Sequence, residues 1–331
     1  MATIGATNPT IADVIKFTMP DGSPLRQIVD PLSQRRAFLN IVTAVECNQG
    51  TRHLFGSRTA RPSLTWRMIN RGIQPSKSRR SQISETTGIL EGRNAIDEDL
   101  VRVQNNKPAF LADEESQFVE AFLEELSTGS FYHSVRSDPE RFHGLSSRFG
   151  DVSDDQVIDG GSVGSTNRSI WIIGFSPQTI FSIYPEGTPA GIIREYRGTE
   201  YVADRDGNDY LAHVSNWKWN YGLAVKDARY VVRIANVDPA DIEADLSSGP
   251  DLLDLLTQGI QRMESLEGVR TVIFMPRDIL SGLSRQCLGR QAGNYLQWHK
   301  EILGFPGLNN TWQGVPMKIE DALDVDEARV V

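Results

Sequence analysis

The side chains that could do chemistry are few and scattered. His133 and His143 flank Glu140, a set suited to metal binding or proton transfer. Irregular chain separates them and fixes no geometry, so polar loop surface is the stronger reading. Gly160-Gly161-Ser162-Val163-Gly164-Ser165 has the composition of a phosphate loop. It lacks the Lys-Ser/Thr ending and the βαβ setting, and reads as a flexible linker. Asp204-Arg205-Asp206-Gly207-Asn208-Asp209 has calcium-loop flavour without the ligand spacing or terminal Glu of an EF-hand. It reads as a hairpin tip. No GxSxG, HExxH or triad-like order occurs. Cys47 and Cys287 belong to no CxxC or Cys/His ligand set and read as reduced thiols. No catalytic, cofactor-binding or metal residue is assigned, and the expectation is a protein that is not an enzyme.

Trp217 and Trp219 alternate around Lys218, so on a strand both rings share one face. Packing in a sheet core is the favoured reading. The rival is a β-rich carbohydrate-binding module or glycoside-processing enzyme. It would use the two rings as a platform and Asp204 or Asp206 as the nearby carboxylate.

Charge is more informative. The 331 residues carry a net charge of −9 with 39% hydrophobic residues, an ordinary globular composition. So acidic a chain is a poor generic binder of nucleic acid. Yet Arg52, Arg58, Arg61, Arg67, Arg71, Lys77, Arg79 and Arg80 fall between residues 52 and 80 with no acidic residue. The segment is +8 and the remainder −17. Its counterpart lies close by: Asp113, Glu114, Glu115, Glu120, Glu124 and Glu125, with no basic residue between 113 and 131. Arginine favours bidentate carboxylate contacts and interfaces. A basic loop and an acidic helix in one chain suit head-to-tail pairing between copies, which builds rings or lattices.

The elements that would position these groups follow from periodicity. Residues 1–44 read as an arm with short helices, one over Leu32–Val42. Residues 45–100 read as a long two-stranded excursion, with β-leaning runs at Leu64–Ile69 and Gln82–Thr87. A helix spans 109–132, with Asp113 as N-cap, an apolar stripe at Phe118, Phe122 and Leu126, and Gly129 able to end it. A long irregular connection over 134–168 should be functional or mobile. Strands are expected at Ser169–Phe175, Thr179–Tyr184, Gly191–Tyr196, Leu211–Val214, Tyr221–Val225 and Tyr230–Ile234. A helix from Leu252 to Met263 follows, then a strand Thr271–Met275, a helix opened by Pro276 and a strand Gly314–Ile319. Met1–Gly5 lacks a signal-peptide pattern and no run approaches a membrane span, so a soluble protein folded in a cytoplasm, with no membrane partner, is expected.

This order of parts resembles the major capsid proteins of tailed bacteriophages, the Hong Kong 97-type fold. The podophage branch of the epsilon-fifteen and Bordetella phage kind is the more specific likeness. It is carried by Met1-Ala2-Thr3-Ile4-Gly5-Ala6-Thr7-Asn8-Pro9-Thr10, Gly72-Ile73-Gln74-Pro75-Ser76-Lys77, Pro139-Glu140-Arg141-Phe142-His143-Gly144-Leu145 and Arg229-Tyr230-Val231-Val232-Arg233-Ile234-Ala235-Asn236. The resemblance implies an α+β chain in four parts: an N-terminal arm (1–44), an extended loop (45–102), a peripheral domain with a spine helix and β-region (103–237) and an axial α/β domain (238–331). In many members a Gly-aromatic hairpin closes the chain. Here the similar Trp217–Ile234 stretch precedes Val272–Leu283, which allows a rearranged chain order. The implied function is a shell subunit that self-assembles in the host bacterial cytoplasm as hexamers and pentamers of an icosahedral virion capsid. The shell would touch its double-stranded DNA only non-specifically. A cement or decoration protein, a scaffolding protein and a portal are the further partners it implies. Some relatives crosslink through a loop lysine, and Lys77 is the lysine of 45–100. The expected contacts join the eight loop cations of one copy to Glu114, Glu115, Glu120, Glu124 and Glu125, or to the β-region, of the next.

Overall fold

The structure is a computed structural model that describes residues 36–103, 107–204, 206–242, 249–289 and 311–331. The arm and the Met1–Thr10 string lie outside the described residues. So does the start of the Leu32–Val42 helix, of which α1 (Ala37–Ile41) is described.

A sheet of six strands is built from β5 (Val157–Asp159), β6 (Arg168–Phe175), β10 (Val231–Val237), β11 (Arg270–Met275), β12 (Thr311–Trp312) and β13 (Val315–Ile319). Strand β6 sits centrally, antiparallel to β10 on one side and β11 on the other. Alternation sorts its side chains onto two covered faces. Ile170, Ile172, Ile234 and Ile273 face α4 (Leu252–Arg262) and α5 (Arg277–Gly289), whose Leu256, Ile260, Ile279 and Leu283 complete that core. Trp171, Ile173, Ala235 and Phe274 face the other way, into a core with Phe38, Leu126 and Phe131. The expected boundary at 237/238 therefore cuts through a hydrogen-bonded sheet, because β6 joins strands from both sides of it.

A second ladder continues the first through a single pairing, Phe175 opposite Ile180 of β7 (Ile180–Tyr184). Strand β7 pairs with β1 (Ala44–Glu46) and with the end of β9 (Asp209–Val225). The rest of β9 lies between β4 (Gly88–Asp97) and β8 (Ile192–Ala203). Strand β9 runs 17 residues without a break, where two strands were expected. Asn216 and Lys218 turn their polar ends away from the core while Trp217 is buried, so the polar middle stays in the ladder.

Helix α2 (Glu98–Val103) leads to α3 (Lys107–Tyr132), which lies on this ladder. Helix α3 begins before Asp113 because Phe110 and Leu111 bury against Ile96, Leu100 and Val101. It also passes Gly129, whose carbonyl accepts from His133 N at 3.1 Å. Gly92 permits the close approach: a Cβ there would lie 3.3 Å from the Phe122 ring. The 134–168 connection is anchored to the core. Phe142, Leu145 and Phe149 enter the main core.

Candidate inter-subunit surfaces

From the body springs a ribbon of β2 (Arg52–Ala60) and β3 (Arg79–Thr86), antiparallel from Arg52↔Thr86 to Ala60↔Arg79. Its root is packed. Cys47 and Phe55 form a cluster with Phe181, Ile183 and Ala224, with Ile83 against it. Burial, with Glu186 and Glu46 nearby, pushes the Cys47 thiol up to about 11, a structural rather than a reactive cysteine. Beyond this root every residue from 58 to 82 is exposed.

Leu64–Ile69 forms no strand, contrary to its weak alternation. Pro62 and Pro75 remove ladder donors, and nothing in the body lies beneath the segment to bury an apolar face. The result is an unusual surface. Leu64 (94%), Trp66 (101%) and Ile69 (87%) are almost wholly solvent-accessible, and Met68 and Ile73 are largely so. Sequence reasoning fixed on the arginines and missed these apolar side chains. The available signal was an apolar run inside a segment without a partner strand. Lone exposed apolar residues mean little, but a group of five on a projecting tip marks a contact surface.

All eight predicted loop cations are exposed: Arg52, Arg58, Arg79 and Arg80 on the strands, and Arg61, Arg67, Arg71 and Lys77 on the connection between them. Among the described residues, none of the eight forms an ion pair. The α3 carboxylates differ. Glu115 accepts from Arg194 at 2.5 Å and from Ser215 Oγ at 2.9 Å. Glu120 pairs with Arg36. Glu125 lies 3.2 Å from His133 Nε2 and 3.9 Å from Arg141. Glu114 and Glu124 are also engaged. Three of the six acidic residues of the helix, Glu115, Glu120 and Glu125, thus already face basic side chains of their own chain, which the 113–131 window could not reveal.

The remaining candidates do not converge on a reaction. His133 meets Glu125, whereas His143 lies 3.5 Å from Ser147 Oγ and Glu140 is exposed. Burial, then Arg141, holds the His133 imidazole below its usual range. Asp204 Oδ1 accepts from Asn208 N and Asp206 N at 2.8 and 2.9 Å, closing the β8–β9 turn. The Gly160 loop is pinned, with Ser162 N donating to Asn236 O and Ser162 Oγ to Asp241 at 2.5 Å. Trp217 and Trp219 do share a face, opposite Gly92 and Leu90, but Trp217 is 7% exposed beneath the Arg194 guanidinium and offers no platform. Among the described residues no group of three potential metal ligands gathers, and no helix is long and apolar enough to cross a membrane.

A ribbon projecting from a helix-backed ladder, joined to a helix-covered sheet, is the architecture of a shell-building subunit of the Hong Kong 97-type capsid fold. The structure of bacteriophage Epsilon15 matches it at a TM-score of 0.76 and 24% identity, covering 100% of both chains. The bacteriophage JBD30 capsid matches at 0.50 and 13% identity, over 89% of this chain and 93% of that one. No curated protein matches the sequence. The family described as major capsid protein GP7 matches residues 19–331, and the chain belongs to it. It is a phage major capsid protein, a structural component of the virion capsid that assembles with copies of itself.

Proposed function

We propose that this subunit assembles, as hexamers and pentamers, into the icosahedral shell around a double-stranded DNA genome, and that the extended loop makes the decisive contact by lying across an adjacent copy. One observation carries the reading: the 58–82 segment offers five apolar side chains and a row of cations, all exposed and without an ion-pair partner among the described residues. Its counterpart is the acidic body of the neighbour. Because Arg194, Arg36 and Arg141 already share Glu115, Glu120 and Glu125, the loop supplies more of the attraction than the helix does. The role is structural and involves no catalysis. The axial part takes in β5, β6 and β10 as well as the 238–331 segment. Assembly takes place in the host cytoplasm. Reversing Arg61, Arg67, Arg71 and Lys77 together to glutamate tests this. The subunit should keep its far-UV circular dichroism and yield no shells by negative-stain microscopy. Normal particles from the folded mutant would refute the loop contact.

A further inference from the structure

The tip is remote from the core, yet its direction is set where β3 re-enters the body. There Glu85 is 4% exposed, though it lies on a ribbon that is otherwise mostly open to solvent. Its carboxylate accepts both ends of the Arg148 guanidinium, Nη1 at 2.5 Å and Nη2 at 2.7 Å. Arg148 belongs to the 134–168 connection, between Leu145 and Phe149, both buried in the main core. The same Nη2 reaches Leu223 O on β9 at 3.3 Å and His143 O at 3.4 Å. One guanidinium thus ties two parts of the body, the 134–168 connection and β9, to one rung of the ribbon. Opposite Glu85 in that rung is His53, whose ring stands edge-on to Phe181 at 5.3 Å. The two strands are thus held at one rung by different forces, a bidentate ion pair on β3 and an aromatic contact on β2. Farther out, from 58 to 82, nothing of the body touches the ribbon closely enough to bury a residue.

We propose that the Glu85–Arg148 pair is a positioning clamp that fixes the direction in which the ribbon leaves the body, and so where its tip meets a second copy of this chain. Planar, two-point contact resists rotation in a way that a single hydrogen bond cannot. A small angular error at the root grows into a large displacement at the tip. The clamp acts through the loop and touches no neighbour itself. It rests on the reading that the loop contacts an adjacent copy, and the test separates the two.

Spin labels placed at Ser76 on the ribbon and at Glu267 on the body report the tip-to-body distance in the full-length, unassembled subunit. Wild type should give one narrow distribution. Glu85→Gln, which keeps shape and loses charge, should broaden it by about twofold or shift its mean, because the root becomes locally mobile. Arg148→Lys, which keeps charge and loses the fork, should do the same and is the second variant if the first does not fold. Merely stabilising contacts would lower the melting temperature and leave the folded population's distribution unchanged, and that result in both variants overturns the clamp. A broadened distribution with normal shells would uphold the clamp and instead refute the loop's part in assembly. A broadened distribution with aberrant or absent shells supports both.

Discussion

Glu320 offers the sharpest test of the core. Its side chain is fully buried, where the C-terminal segment, α1 and α3 meet. It accepts from Ser127 Oγ at 2.5 Å and from Phe38 N at 2.8 Å. Burial outweighs these donors and pushes its carboxyl up to about 7, from 4.5. Below pH 4.5 the group is protonated in both states and contributes no pH dependence. Between 4.5 and 7 the folded chain holds a proton that the unfolded chain has released, so stability falls as pH rises through that window. Above 7 the loss is complete, at about 3 kcal/mol for a gap of this size. In Glu320→Gln the amide oxygen can accept from Phe38 N–H while the amide nitrogen donates to Ser127, so both contacts survive. Urea unfolding of the unassembled chain at pH 5, 6, 7 and 8, followed by circular dichroism, measures the difference. The variant should exceed wild type by about 1 kcal/mol or less at pH 5 and by about 3 kcal/mol at pH 8. A difference that is constant across this range, or that grows in favour of wild type as pH rises, would refute the reasoning.

Arg233 is buried, donates to Glu327, Ser169 and the Phe149 carbonyl, and lies over the Trp171 ring. Arg233→Met should cost about 3–5 kcal/mol in thermal unfolding by leaving Glu327 buried without its cation, and adding Glu327→Leu should recover part of that. Gly259→Ala sets two effects against each other. Ala favours the helix by about 1 kcal/mol, but its Cβ would lie 2.6 Å from Ile172 Cδ1. Overpacking of about 1–3 kcal/mol should win, and a denaturation midpoint above wild type would contradict that. Trp66→Ala should leave subunit stability within about 0.5 kcal/mol yet sharply reduce the yield of particles on sizing, and an unchanged yield would remove the tip from the contact.

Much of this fold is legible where burial imposes a period. Ile170–Phe175 and Thr271–Met275 alternate between two covered faces, and Leu252–Ile260 places its leucines toward the sheet. Legibility fails where a partner from far along the chain decides the outcome. Asp113 looks like a helix cap, but α2 and the end of β4 supply a core that extends the helix to Lys107. The acidic α3 face looks free until Arg36 and Arg194 arrive from positions far from it in sequence and Arg141 folds back from the connection that follows it. Glu85 and Glu320 look like any surface glutamate, since nothing local announces that a guanidinium awaits one and a serine hydroxyl and a backbone amide await the other. The exposed charge of the loop is legible because, among the described residues, its cations have no such ion-pair partners.

In the proposed contact the two kinds of side chain on the loop tip would do different work, and their magnitudes separate them. An exposed ion pair contributes about 0–1 kcal/mol and weakens with salt, because charges are screened over about 8 Å at physiological ionic strength. Fully burying one large apolar side chain is worth about 1.5–3 kcal/mol and does not fade as salt is added. With Leu64, Trp66, Met68, Ile69 and Ile73 all outward, the apolar group can supply most of the affinity once it is covered. On the proposed contact, the row of arginines would be drawn to a body of opposite charge and would govern the approach and the choice of partner. Added salt should therefore slow the first encounters between subunits more than it loosens shells already formed. A tip that held its neighbour by charge alone would show the reverse, with finished particles falling apart as salt rises.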